Sequence, residues 1–244
     1  MQEATNLDYE ETRKSTHSFT CDAQLPFFLG LEDLKVTSIY PRATVLFAEG
    51  QPADGVYLLR SGRAKVSVSS AEGKKVILRV EQAGTLLGVN SVLKAVPYDV
   101  TVETMERCRA DFVPRPEFMK LLDQSEAARV AMAHTLSNEL SGIVEHLRSL
   151  LLSQSASEKL ARLLLKWCDE QGELRSEEIQ VNPGLTHEEI AQMICASRET
   201  VTRLFAELRR KQIVSFADNA IFVRDLNALE SLACHRGILG ISSG

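Results

Sequence analysis

The chain has 244 residues, 44% of them hydrophobic, and a formal net charge of −5. This length leaves room for two modest cores, and the apolar content excludes wholesale disorder. No uninterrupted apolar run approaches the roughly 20 residues that cross a bilayer as a helix, and the polar, acidic start is unlike a secretion signal, so a cytoplasmic protein without membrane contact is expected.

Residues 1–20 carry charge without hydrophobic period and read as a mobile tail. Residues 21–116 read as one unit, with a short helical lead-in from Leu25 and, from Thr37 onwards, short runs of β-branched residues that alternate with polar ones and are broken by glycine, the pattern of a small all-β unit. Ala64 to Val68 and Val76 to Val80 are two such strands, with Ala71-Glu72-Gly73-Lys74 as the hairpin between them. Gly50, Gly55, Gly62, Gly84 and Gly88 fall at tight corners of this unit. Residues 117–152, opening near Arg115-Pro116-Glu117, read as one long helix. Along it Leu136, Leu140, Ile143, Leu147 and Leu150 recur at spacings of four, three, four and three, an apolar seam suited to the same helix of a second copy. The run Ser-Gln-Ser-Ala-Ser-Glu then breaks the seam and opens a second unit, 153–236, in which Ser155 and Glu158 have the spacing of a capping box; 237–244 is left as a tail.

Within that second unit, Ile179-Gln180-Val181 reads as a short strand and residues 185–206 as a helix, a tight turn and another helix. Thr186 and Glu189 form a capping box before the apolar face of Ile190, Met193 and Ile194, and Ser197 caps the helix that follows. That second helix opens with Arg198, Glu199 and Arg203 on one broad face, while Val201, Leu204 and Leu208 face the other way. Such a face fits a major groove, where an arginine fork pairs with guanine O6 and N7 and a carboxylate accepts from cytosine N4. Arg198, Glu199 and Arg203 are therefore the expected base contacts, with Thr186, Ser197, Thr200 and Lys211 on phosphates. Residues 198–211 hold five basic and two acidic side chains, a local +3 within a negative chain. The negative total argues against a nonspecific architectural DNA binder.

LTHEEIAQMI followed by SRETVTR resembles the recognition motif of the Crp/Fnr (cyclic-AMP receptor / fumarate-nitrate regulator) family of bacterial transcription regulators. The stretch 56–88, VYLLRSGRAKVSVSSAEGKKVILRVEQAGTLLG, resembles the β-roll sensor domain of the same family, in the same order and at a similar distance. The likeness spans about residues 25–225. It implies an α+β fold: an N-terminal cyclic-nucleotide-binding-like β-roll, a long dimerisation helix and a C-terminal winged helix-turn-helix. It further implies a homodimer on double-stranded DNA reading a TGTGA-like palindrome, and brings RNA polymerase and a small-molecule effector into consideration as partners. Ile213 to Phe216 and Ile221 to Val223 read as the wing hairpin, with Asp218 at a tip that is basic in the cyclic-AMP-responsive relative. A β-roll that regulates a partner enzyme is the alternative, but it has no use for SRETVTR. No nucleophile with a base, metal-ligand set or phosphate loop appears in the sequence, so the chain itself is not expected to be an enzyme.

In cyclic-AMP-binding members a short helix after a glycine corner carries a glutamate for the ribose, and an Arg-Ser pair follows for the cyclic phosphate. Aligning on Gly88 and Val102 puts Val89, Tyr98 and Asp99 at those three positions, so cyclic AMP held in the family manner is not expected. The remaining options are a different small molecule anchored by Asn90, Tyr98 and Asp99 beside Gly88 and Val89, or no effector at all. The cysteines at 21, 108, 168, 195 and 234 form no C-x-x-C pair and only Cys21 lies near the N-terminus, so neither zinc nor iron–sulfur is expected; Cys168 and Cys195 read as small core residues. His134 and His146, twelve residues apart on the long helix, are the candidates for haem, but without a β-roll histidine beside them they read as solvated positions.

Overall fold

The computed structural model describes residues 35–153, 155–175, 178–217 and 220–233, which pack as two units dividing at Val144/Glu145. The predicted tails 1–20 and 237–244, the helical lead-in expected from Leu25, Cys21, Cys234 and Asp218 lie outside the described residues. Among the described residues no helix is long and apolar enough to cross a membrane.

The first unit is a β-roll of two antiparallel four-stranded sheets. Strands β1 (Val36–Tyr40), β8 (Cys108–Pro114), β3 (Gly55–Ser61) and β6 (Leu86–Leu87) form one sheet in the order β1-β8-β3-β6. The other runs β2 (Val45–Phe47), β7 (Thr101–Thr104), β4 (Ala64–Ser69) and β5 (Lys75–Glu81). Val56, Leu58, Val66 and Ile77 are fully buried, and so is Leu59, next to Leu58 in β3 and beside the register shift between Leu59 and Ser61. The hairpin expected between Val68 and Val76 is present, with Gly73 at φ 80° in its turn. Gly55 is no corner. It begins β3 with negative φ, and a Cβ there would lie 2.3 Å from the Val113 carbonyl oxygen, so close backbone approach is what selects glycine.

A short helix α1 (Val89–Lys94) follows Gly88, and α2 (Arg115–Gln124) follows β8. The single helix expected over 117–152 is in fact two. Ser125 adopts an extended conformation that ends α2, and its hydroxyl accepts from the Ala128 amide in the first turn of α3 (Glu126–Leu152). Ala128, Ala131 and Met132 of α3 join the roll core, and Leu136 packs against that core rather than lining the outer seam.

The second unit contains α4 (Ala156–Gln171), α5 (His187–Ile194), α6 (Arg198–Arg210), α7 (Leu226–Ala233) and a sheet in the order β11-β12-β10-β9. Its strands are β9 (Glu173–Arg175), β10 (Glu178–Val181), β11 (Val214–Ala217) and β12 (Ala220–Val223). Ser155 caps α4 by accepting from the Glu158 amide, and Leu160, Leu164, Trp167 and Cys168 bury its apolar stripe. β11 and β12 pair in register as the wing hairpin. α7 and β9 lie beyond the sequence reading. Asp225, accepting from the Ala228 amide, was the available signal for α7.

Candidate nucleic-acid interface and sensor pocket

Local chemistry fixes the helix-turn-helix. The Thr186–Glu189 capping box closes in both directions and starts α5. Cys195 then ends α5 in the left-handed region at φ 54°, its amide donating to the Ala191 carbonyl. That geometry turns Cys195 out of the apolar stripe, so it is exposed rather than a core residue, whereas Cys168 is buried as expected. Ser197 accepts from the Thr200 amide and launches α6.

On α6 the buried side is Val201, Leu204, Phe205 and Leu208. At about 100° per residue the opposite side carries Arg198, Glu199, Thr202 and Arg203, all four exposed. Hydrogen bonds from its own backbone amide and from the Ser197 hydroxyl, together with the Arg198 charge, hold the Glu199 carboxyl below its ordinary range, so it stands ready as an acceptor. The predicted base-reading trio is thus gathered on one face.

The predicted phosphate contacts fare less uniformly. Thr186 donates to Glu189 Oε2 at 2.9 Å and accepts the Glu189 amide at 3.2 Å, which commits its hydroxyl to the cap. Ser197 and Thr200 share a 3.0 Å hydroxyl contact at the N-terminus of α6. Lys211, just past the end of the helix, pairs with Glu207 at 2.8 Å and reaches a phosphate only by sharing that exposed pair. One polar residue was missed. His187, the first residue of α5, places Nδ1 2.9 Å from Thr202 Oγ1 and stacks on Phe205. Fifteen residues separate His187 from Thr202, and no periodicity in the sequence joins them.

In the roll, all five predicted pocket residues come together, with Val89 and Tyr98 buried, Gly88 and Asn90 half-buried and Asp99 exposed. Tyr98 is 4% exposed, stacks on Phe47 with ring centroids 3.9 Å apart and donates to the Gly55 carbonyl at 2.5 Å. Burial pushes its hydroxyl up to about 12, which keeps it a donor. A Cβ at Gly88 would meet the Tyr98 ring at 2.8 Å, and Gly88 also needs its φ of 83°, so glycine is required twice over. Val89 is buried, and Asp99 accepts from Asn90 Nδ2 at 2.6 Å and from the Ser91 hydroxyl at 3.2 Å. Arg79, which sequence reasoning passed over, donates to Glu81 and reaches Glu139 of α3 at 3.1 Å. Burial, followed by the Glu81 and Asp99 charges, raises the Glu139 carboxyl despite Arg79. The two positions that the resemblance assigns to an Arg-Ser pair for a cyclic phosphate thus hold a buried aromatic ring and an exposed carboxylate, and the nearby Arg79 guanidinium pairs with Glu81 and Glu139.

The candidate haem ligands do not converge either. His134 is exposed. His146 is half-buried rather than solvated, with Nε2 shielded and without a hydrogen-bond partner, and burial and Lys166 lower its basicity. Among the described residues no group of His, Cys, Asp and Glu side chains could hold a metal ion. Along α3, Leu140 (63%), Leu147 (47%) and Leu151 (77%) are exposed with Ile143 and Val144, while Leu150 is partly covered.

A β-roll followed by a long helix and a winged helix-turn-helix, with arginines and a carboxylate on the exposed face of the second motif helix, defines a DNA-binding transcription regulator. Residues 38–125 match the cyclic nucleotide-binding domain family, and residues 158–232 the Crp-like helix-turn-helix domain family. The chain is 26% identical over 205 residues to the Anaerobic regulatory protein of Bacillus subtilis, covering 84% of this chain and 85% of that one. It is 23% identical over 215 residues to the CRP-like cAMP-activated global transcriptional regulator of Mycobacterium tuberculosis, covering 85% and 96%. Among solved structures, FixK2 from Bradyrhizobium japonicum superimposes with a TM-score of 0.69 at 20% identity, covering 81% of this chain and 96% of that one. The c-di-GMP responsive global regulator CLP of Xanthomonas campestris gives a TM-score of 0.72 at 17% identity, covering 82% and 99%. The chain belongs to the Crp/Fnr family of bacterial transcription regulators.

Proposed function

We propose that the chain acts as a homodimer that reads a TGTGA-like palindrome and does so without cyclic AMP. The observation that carries the DNA reading is the exposed face of α6, where Arg198 and Arg203 supply guanine-pairing forks and Glu199 an acceptor for cytosine. The exposed apolar row of α3 supports dimerisation, because a two-fold DNA site needs two recognition helices about one turn, roughly 34–36 Å, apart. Independence from cyclic AMP is supported by Tyr98 and Asp99, a core-packed ring and a carboxylate at the positions where the resemblance expects the arginine and serine that hold the cyclic phosphate.

Binding of the full chain to a labelled TGTGA-type palindrome and to a scrambled duplex, at about 150 mM salt with and without cyclic AMP, tests this reading. Preference for the palindrome that cyclic AMP leaves unchanged is the expected result. Preference that arises only with cyclic AMP overturns the pocket argument, and no preference overturns the assigned operator.

A further inference from the structure

We propose that Tyr98 is a built-in ligand of the roll: its side chain fastens α1, the segment 48–54 and the start of α2 into one arrangement, so that the chain reaches its DNA-binding state with no small molecule in the roll. The inference rests on the proposed DNA reading and widens the proposed independence from cyclic AMP to small-molecule effectors in general. Tyr98 lies in the loop between α1 and β7, where Ala95, Val96, Pro97 and Asp99 are all exposed. Among residues 95–99 Tyr98 alone is buried. An exposed loop thus sends a single aromatic ring into the domain, the placement of a bound molecule rather than of a strand residue.

Three contacts seat the ring. It stacks on Phe47 of β2 with centroids 3.9 Å apart, covers Gly88 at the start of α1 so closely that a Cβ there would stand 2.8 Å away, and donates from its hydroxyl to the Gly55 carbonyl at 2.5 Å. The residue opposite Gly55 in β8 is Pro114, which has no N–H to offer, and the phenol hydroxyl supplies a donor instead. The Tyr98 backbone is tied to the same segment, its amide donating to the Gln51 carbonyl and its carbonyl accepting from the Gly50 amide, both at 2.8 Å.

The segment 48–54 hands this constraint on to two helices. The Asp54 carbonyl accepts from the amide of Arg115, the first residue of α2, at 2.7 Å, and Arg115 Nε donates to the Val92 carbonyl of α1 at 2.9 Å. The contacts close a circuit that runs from Tyr98 to Gly55, from Asp54 to Arg115, from Arg115 to Val92 of α1, and from Gly88 back to Tyr98. α2 leads into α3, whose Ala128, Ala131 and Met132 join the same core as Tyr98. Removing the hydroxyl takes this donor from the carbonyl of a buried residue, and the circuit opens at that point. A ligand carried on the chain needs no supply from solution, because tethering holds it at an effective concentration of about millimolar or more.

The full chain is titrated with the TGTGA-type palindrome and the scrambled duplex as wild type, Tyr98→Phe and Tyr98→Ala, at a temperature where circular dichroism shows native helix content. Two probes are added in turn: p-cresol, the tyrosine side chain as a free molecule, and toluene, the same ring without the hydroxyl. The wild type should prefer the palindrome with nothing added and ignore both probes. Each variant should lose about tenfold in palindrome affinity, within the range typical of coupling between two sites. In Tyr98→Ala, p-cresol should restore the affinity and toluene should not. Palindrome affinity of Tyr98→Phe equal to that of the wild type overturns the proposal while leaving the DNA reading intact, and so does restoration of Tyr98→Ala by toluene as well as p-cresol, or by neither. No preference in the wild type overturns both. Should Tyr98→Ala fail to fold, Tyr98→Phe, which keeps the stack on Phe47, decides the matter, with faster hydrogen exchange of the α1 amides and the Arg115 amide expected from the opened circuit.

Discussion

At the scale of single residues, the proposed base contact and the proposed backbone contact stand at different places along α6 and its C-terminal cap. Arg203 stands on the exposed face beside Thr202, whereas Lys211 sits at the C-terminal end in an exposed pair with Glu207. An arginine fork that reads a guanine discriminates by about 1–3 kcal/mol, so Arg203→Ala should lose that much preference at one base pair while binding to unrelated duplex changes little. Lys211→Ala should weaken all duplexes alike and lower the salt slope by about one. Titration against a matched half-site and against a panel of single-base variants checks both. Equal losses by Arg203→Ala on matched and variant sites would remove it from the base-reading set. The fold tolerates either change, because both side chains are exposed and neither touches the buried stripe of Val201, Leu204, Phe205 and Leu208.

At the scale of elements, a single carboxylate stitches three strands of the roll. Asp111 of β8 accepts from Thr37 of β1 at 2.6 Å and from Arg60 of β3 at 2.5 Å, with Lys35 at 3.4 Å. Burial disfavours its charge, but these hydrogen bonds and cations outweigh burial and lower its carboxyl below the ordinary aspartate range. A lowered folded-state value means that the stabilisation is fully present above the unfolded value, about pH 4, and is lost as the pH falls through the folded value. The unfolding midpoint of the wild type should therefore drop on acidification below about pH 4, and Asp111→Asn should start lower near neutrality and fall less steeply. An unchanged acid slope in Asp111→Asn would assign the acid sensitivity elsewhere. No sequence pattern announced this cluster, because its members come from three strands and meet only once the sheet order β1-β8-β3 exists. What the sequence did disclose is local in origin: the Thr186–Glu189 capping box, the Ser155 cap, the glycine corners other than Gly55, the β4–β5 hairpin, the wing and the polar face of α6 all depend on residues a few positions apart. The break at Ser125, the tertiary cover on Leu136, the Arg79–Glu139 bridge and the His187–Thr202 contact depend on partners distant in the chain or on competition between them, and periodicity has no access to these.

At the scale of the whole molecule, α3 carries the argument for assembly. Its first half is spent on the roll core through Ala128, Ala131 and Met132, with Leu136 packed against them. Beyond that point Leu140, Ile143, Val144, Leu147 and Leu151 stay exposed on a helix that runs across the division between the two units. Isolated exposed apolar residues are ordinary on a protein surface, but a row at heptad-like spacing along one helix is the geometry of a two-stranded seam. In the proposed homodimer a second copy of α3 is what covers this row, by the same contacts made twice, as a two-fold interface requires. Charge placed in the seam should therefore break the assembly without damaging the fold, since these side chains belong to no core of their own chain. Leu140→Glu with Leu147→Glu is expected to sediment as a monomer with native helix content. Each monomer then presents one recognition helix to a two-half-site operator, and the gain from engaging both halves at once is lost. Binding to a full palindrome should fall toward the affinity for a single half-site, whereas half-site affinity itself stays unchanged. A variant that remains dimeric, or a monomer that binds the palindrome as tightly as the wild type, would show that the row on α3 is not what brings two recognition helices to one site.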